Sequence, residues 1–198
     1  MTELLLVRHG RPESGSFDPP LNDEGLEQAH ALARILADEP ITAIVSSDLR
    51  RAQQTAEIIG EATGHTPTSH EGLREWGLPA DSMEYVALEL LGDDAPQVVA
   101  VHEGRFMDFV PDRVDIADFR LKVTDAFAKI IADHPDGRVV VVCHGGTINA
   151  YVGQLVGIPD IFWFHPDYSS VSRMDSRPGG RVVVRSLNEV HHLLVQSI

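Results

Sequence analysis

The sequence predicts an α/β fold, a three-layer α/β/α sandwich around a mainly parallel sheet with an antiparallel edge strand. Three observations carry that expectation. "LLLV" (Leu4–Val7) and "RVVVVC" (Arg138–Cys143) are apolar runs without polar alternation. Such runs suit strands covered on both faces, as in a parallel sheet. Between them lie segments whose apolar residues recur every three or four positions, the period of an amphipathic helix. Late in the chain, Ser170–Met174 and Val182–Leu187 alternate enough for strands and are joined by "RPGG" at Arg177–Gly180, which reads as a hairpin-like pair at the sheet's edge.

The elements follow in order. Leu4–Val7 is the first strand. "PPLNDEG" (Pro19–Gly25) is a loop in which Asn22 or Asp23 caps a helix with apolar positions Leu26, Ala29, Ala33 and Leu36. Pro40 ends that segment, and Ile41–Val45 reads as the second strand. Ser46, Ser47 and Asp48 offer caps for a second helix, whose face is Ala52, Thr55, Ala56 and Ile59 and whose end is weakened by Gly60 and Gly64. "MEYVALELLG" (Met83–Gly92) looks helical, whereas "PQVVAVHEGRF" (Pro96–Phe106) fits helix or strand. Ile116, Phe119, Val123, Phe127, Ile130 and Ile131 mark a long amphipathic helix. Pro135–Gly137 is a turn, Arg138–Cys143 the strongest strand, and a helix runs from Thr147 to Val156. The expected organisation is one domain over residues 1–198, with a helical insertion or cap over residues 78–113.

Composition narrows the function classes. An apolar share of 43% and a charged share of 23% are ordinary for a globular protein. A formal net charge of -14 argues against nucleic acid or an anionic membrane as partner. An anionic substrate would therefore need a local cluster of cations. Cys143 is the one cysteine in the sequence, so no intrachain disulfide forms. With no basic or long apolar leader at the start, the cytoplasm is the expected location.

The chemistry concentrates at two strand ends. Arg8 and His9 close the first strand, and His144 follows "VVVVC". One histidine in such a place is most often a structural hydrogen-bonding group. Two of them, each followed by a glycine (Gly10, Gly145) that lets backbone and ligand approach, can face one pocket, because ligands of open α/β sheets bind beyond the carboxyl ends of the strands. Arg8 adds a planar fork suited to phosphate oxygens. Arg51 lies in the first turns of the second helix, where free N–H groups also favour an anion, while Arg50 points roughly a hundred degrees away toward solvent. Such a pocket suits a tetrahedral dianion and nucleophilic attack on phosphorus by an imidazole. The leaving alkoxide needs a proton, and Glu75 in "LREWG" is the best-placed carboxylic acid.

The motifs "LLLVRHG", "SSDLRRAQQTAE", "LREWG" and "VVVVCHGG", in that order, resemble the histidine phosphatase superfamily, also called phosphoglycerate mutase-like. "LNDEGLEQA" (Leu21–Ala29) and the tail "LNEVHHL" (Leu187–Leu193) are similar to further family segments. The resemblance implies that His9 is the nucleophile, that His144 assists it, that Glu75 donates the proton, and that Arg8, Arg51, His144 and Gly145 hold the phosphate. It implies a histidine acid phosphatase-type phosphoric monoester hydrolase with no metal and no cofactor. The expected partner is a small-molecule phosphate ester; a homodimer is left open. Two departures stand out. Pro12 and Gly15 occupy positions where the family often has threonine and asparagine. The arginine-, histidine- and tyrosine-rich mutase segment after the proton donor is replaced by Trp76-Gly77-Leu78-Pro79. A phosphomutase and a non-catalytic phospho-ligand-binding protein remain the alternatives.

Other signals read more plainly as structure. Phe106, Met107 and Phe109 in the insertion fit core better than a substrate pocket. His191 and His192, adjacent in a segment expected to be extended, point apart and make no metal pair. "HGGTIN" lacks the lysine and glycine spacing of a P-loop. Phe162, Trp163 and Phe164 form an aromatic patch better suited to core or a dimer contact than to base stacking.

Overall fold

A computed structural model describes residues 1–76, 91–110, 112, 114–177 and 179–194. In chain order the elements are β1 (Thr2–Arg8), α1 (Asp23–Leu36), β2 (Ala43–Ser46), α2 (Arg50–Thr63), β3 (Thr68–Ser69), α3 (Pro96–His102), α4 (Ile116–Asp133), β4 (Arg138–Cys143), α5 (Gly145–Val156), β5 (Val171–Ser176), β6 (Val182–Glu189) and α6 (His191–Leu194). Short 3-10 turns cover Glu71–Leu73 and Phe106–Phe109. The strands lie in the order β3-β2-β4-β1-β5-β6. Pairing is parallel from β3 through β1 and antiparallel from β1 to β5 and β6. The chain is thus mixed α/β, with the expected antiparallel edge.

Side-chain parity explains the unalternating apolar runs. Leu4 and Leu6 of β1, with Val139 and Val141 of β4, face a core built with Val123, Phe127 and Ile130 of α4 and Ile148 and Tyr151 of α5. Leu5 and Val7, with Val140 and Val142, face the opposite core, with Leu32 and Leu36 of α1 and Ala52, Ala56 and Ile59 of α2. Each strand must be apolar at every position because both its faces are covered. Fully burying one such aliphatic side chain contributes about 1.5–3 kcal/mol.

Local signals explain most boundaries. Asn22 caps α1 by accepting from the Gly25 N–H, and Asp115 caps α4 by accepting from Ala117 and Asp118. Gly64 and Gly157 end α2 and α5 in the left-handed region. Several expectations are corrected. The second strand begins at Ala43. Neither Ser46, Ser47 nor Asp48 caps α2: its N-cap is Leu49, without a side-chain bond. Ser47 is turned toward His144 and Asp48 is held by Arg74, while the carboxylate of Asp18 accepts from the Arg50 N–H instead. The ambiguous Pro96 segment is helical. α5 starts at Gly145, earlier than expected. The His191-His192 segment is helical, not extended. The helix expected over Met83–Gly92 lies almost wholly outside the described residues.

The loop leaving β1 lies directly on α1. A Cβ built on Gly25 would stand 2.0 Å from the Arg11 carbonyl oxygen, and one on Gly10 would stand 2.5 Å from the Gly25 carbonyl oxygen. Gln28 reinforces the contact by accepting from the Arg11 N–H at 2.9 Å. Gly25→Ala is therefore expected to overpack a backbone-to-backbone contact. Overpacking costs about 1–3 kcal/mol, a fall in thermal midpoint of roughly 2–12 °C for a chain of this size. Gly92→Ala, whose added methyl meets nothing within 4 Å among the described residues, is expected to leave the midpoint unchanged in the same thermal scan.

Candidate active site

β1 and β4 are parallel neighbours, with Arg8 paired in register to Cys143. The next residues are His9 and His144. After β1 the chain turns to α1 on one face of the sheet, and after β4 it enters α5 on the other. Connections leaving opposite faces open a crevice between two strand ends, where ligands of such sheets bind. Across it the two imidazole rings have centroids 5.0 Å apart. Both residues are buried.

His9 Nδ1 lies 2.7 Å from the Gly10 carbonyl oxygen. A carbonyl only accepts, so the proton sits on Nδ1 and Nε2 carries a lone pair. Arg51 reinforces this arrangement by donating Nε–H to His9 Nε2 at 3.2 Å. Thr55 ties the two together, donating to the Arg51 carbonyl and accepting from the Gly10 N–H.

The arginines are held from different sides. Arg51 is wholly buried on the first turn of α2, and its Nη1 stands 3.6 Å from Asp18 Oδ1. Arg8 Nη1 donates to the Pro166 carbonyl at 2.6 Å, with its Cζ 3.9 Å from the centre of the Tyr168 ring. That ring also lies 5.7 Å from His9. The turn carrying Tyr168 is fixed to the same strand end: the Ser169 N–H donates to the Arg8 and His9 carbonyls, and the Arg8 N–H donates to Ser170. Arg50 is exposed, as expected.

Glu75 is brought in by α5. Its Oε2 accepts from the Gly146 N–H at 3.0 Å, and its Oε1 accepts from the Trp76 N–H at 3.0 Å. Thr147 pins the preceding segment by donating to the Arg74 carbonyl at 3.0 Å. Asp48 anchors Arg74 through two charge-assisted bonds of 2.8 and 2.5 Å. A Cβ at Gly146 would stand 2.3 Å from Glu75 Oε1 and 2.6 Å from Trp76 Cδ1, so glycine lets the carboxylate sit this close to the helix. Burial pushes the Glu75 carboxyl above its ordinary range, against the pull of the two N–H donors and of Arg51 and Arg8. The opposite holds for His144: burial, then the charges of Arg51 and Arg8, push it well below the usual imidazole range, so it stays neutral.

All the expected residues thus gather at one crevice. Gly145 opens α5 there, with a built Cβ 3.7 Å from Arg8 Nε. Pro12 forms a backbone bridge with Leu21, and Gly15 is an exposed turn residue at φ 81°. Asp18, farther along the same loop, reaches to within 3.6 Å of Arg51. Sequence reading missed Ser47, Thr55, Asp18 and Tyr168. Ser47 and Thr55 could have been flagged as polar residues on otherwise buried faces. Nothing local marks Asp18 or Tyr168, which reach the site only through the fold.

The remaining candidates divide. Phe106 is buried and packs at 4.7 Å on Phe162, which meets Trp76 edge-on at 5.7 Å. This aromatic row leads to the residue beside Glu75. Met107 and Phe109 are exposed. Phe162, Trp163 and Phe164 pack against the core, and Asn149 holds Phe164 through both its amide groups. His192 Nε2 bonds to the Ser169 carbonyl at 3.0 Å. Among the described residues no helix is long and apolar enough to cross a membrane.

Comparison with known proteins gives the same picture. A glucosyl-3-phosphoglycerate phosphatase of Mycolicibacterium vanbaalenii is 35% identical over 81% of this chain and 76% of its own length. A probable phosphoglycerate mutase of Yersinia pestis is 29% identical over 80% of this chain and 77% of its own. The crystal structure of a mutant phosphoserine phosphatase from Entamoeba histolytica, in complex with phosphoserine, superposes with a TM-score of 0.76 at 26% identity, covering 98% of this chain and 100% of that one. The family model of the histidine phosphatase superfamily (branch 1) matches residues 4–189. With nearly the whole chain matched, the protein belongs to that superfamily.

Proposed function

We propose that this chain is a metal-independent phosphatase, a histidine acid phosphatase-type phosphoric monoester hydrolase working through a phosphohistidine on His9. One observation carries the reading: in-register strand ends set His9 5.0 Å from His144, with Arg51 on His9 Nε2 at 3.2 Å. In the first half-reaction the Nε2 lone pair forms an N–P bond as the ester P–O bond breaks. Glu75, protonated, gives its proton to the departing alkoxide. In the second, the Glu75 carboxylate takes a proton from water, the resulting hydroxide forms a P–O bond, and the N–P bond breaks. Inorganic phosphate leaves and the lone pair returns to Nε2. Arg8, Arg51, His144 and the Gly145 turn stabilise charge on the equatorial oxygens. The chain reads as a single domain, with residues 78–113 as a helical insertion or cap; Phe106, within its described part, is linked through Phe162 to Trp76 beside Glu75. Relatives named for glucosyl-3-phosphoglycerate and phosphoserine make phosphates of small hydroxy and amino acids the first substrates to assay. The Yersinia relative keeps a phosphomutase in view, and release of free phosphate rather than an isomerised ester separates the two.

The direct test is His9→Ala. It is expected to abolish both phosphate release and the acid-labile phosphoryl label on the protein, while circular dichroism stays native. An unchanged rate would refute the assignment. For Glu75, the raised carboxyl range keeps the proton on at low pH and loses it as pH rises through that range, so kcat on alkyl phosphates should fall on the alkaline side. Glu75→Gln should remove that pH limb and slow alkyl phosphates by about 10²–10⁴-fold, with aryl phosphates, whose leaving groups need no proton, slowed far less. Equal slowing of both would exclude Glu75 as the acid. Asp18→Asn keeps an acceptor for the Arg50 N–H but removes the charge beside Arg51. A partly exposed pair is worth about 0.2–1 kcal/mol, so inorganic phosphate should inhibit about 1.5- to 5-fold more tightly.

A further inference from the structure

Ser47 lies at the end of β2, outside the residues assigned above to phosphate or proton transfer. It is wholly buried, and its Oγ stands 2.8 Å from His144 Nε2. The same Oγ accepts from the Leu49 N–H at 3.3 Å. His144 Nδ1 is buried and has no hydrogen-bond partner among the described residues. These facts decide between two proton arrangements. If His144 donated from Nε2, the Ser47 hydroxyl proton would have no acceptor among its described contacts, and a lone pair on Nδ1 would be buried unused as well. If Ser47 donates to Nε2, the hydroxyl is satisfied in both directions. Only one group then waits for a partner, an N–H on Nδ1.

We propose that Ser47 is a positioning residue for phosphoryl transfer. Its hydroxyl fixes His144 as the Nδ1–H tautomer, so that the buried donor is completed by an oxygen of the transferring phosphoryl group. The role rests on the phosphatase reading above; the tautomer does not. The surroundings fit this assignment. The charges of Arg8 and Arg51 act on His144, so an acceptor drawn to that N–H is an anionic oxygen rather than a neutral carbonyl. A neutral imidazole has only one proton, and placing it is what an outer hydrogen-bond partner does. The backbone at Ser47 is itself held, since its N–H donates to the Val142 carbonyl of β4 at 2.8 Å and the Ser46 hydroxyl donates to its carbonyl at 2.9 Å. β2 and β4 thus deliver the donor and its imidazole as one unit.

The test is ¹⁵N NMR of histidine-labelled full-length protein without substrate, the His144 signals assigned by difference from His144→Gln. The expected wild-type pattern at neutral pH is a protonated Nδ1 and an unprotonated, hydrogen-bonded Nε2. In Ser47→Ala the Nε2–H tautomer should become populated, kcat should fall by about 10- to 100-fold, and vanadate should bind more weakly. Ser47→Thr, which keeps the hydroxyl, should restore the wild-type pattern and most of the rate. A wild-type His144 protonated on Nε2 overturns the proposal even if the alanine variant does not fold. So does a folded Ser47→Ala that keeps the tautomer, or one that loses it with kcat unchanged. Wild-type protein with the expected tautomer but no phosphate release on any ester would instead defeat the phosphatase reading.

Discussion

The structure depends on the in-register parallel pairing of β1 with β4. That pairing joins Arg8 to Cys143, so the next residue on each strand is a histidine and the two rings must share one space. Backbone hydrogen bonds, not side-chain chemistry, set this distance. A one-residue slip would turn one histidine to the opposite face of the sheet. The apolar runs prevent it, because Leu4–Val7 and Val139–Val142 are filled on both faces and a slip would exchange every neighbour in two cores.

Concentrating cations in this crevice is costly in a protein interior, and the fold offsets the cost locally. Arg8 has a carbonyl and an aromatic face, while Arg51 has a histidine lone pair and a distant carboxylate. His144 escapes by remaining neutral. Glu75 is driven toward its protonated form by the same burial. The site therefore gathers two guanidinium groups inside a chain of net charge -14. Long-range steering of an anion is weak in that setting, so attraction of one depends on the local field of the crevice.

Much of this could be read from the sequence. Both central strands, the helices capped by Asn22 and at Ile116, and the late antiparallel pair are visible as periodicity and caps. Arg8, His9, His144 and Arg51 are visible because each ends a strand or opens a helix, whereas Glu75, which follows a short 3-10 turn, is marked by "LREWG" alone. Where reading failed, longer-range contacts won. Ser47 and Asp48 are good capping residues by type, yet each is drawn to a partner far along the chain, His144 and Arg74, and a carboxylate from the loop after β1 takes over the N–H at the start of α2. The His191-His192 segment turns helical as His192 docks onto the Ser169 carbonyl, a contact no local pattern announces.

Asp18 shows why the fold and the reaction class are more legible than the substrate. The family's neutral donors on this side are replaced by Pro12, locked in a bridge with Leu21, and by Gly15 in a turn. The chain between them and α2 then carries a carboxylate to within 3.6 Å of Arg51 while it also satisfies the Arg50 N–H. Arg51 is wholly buried and Asp18 partly exposed, so the carboxylate lies on the solvent side of the pair. The charge that faces Arg51 is thus set by a loop whose length and turn, more than any motif, decide where Asp18 arrives.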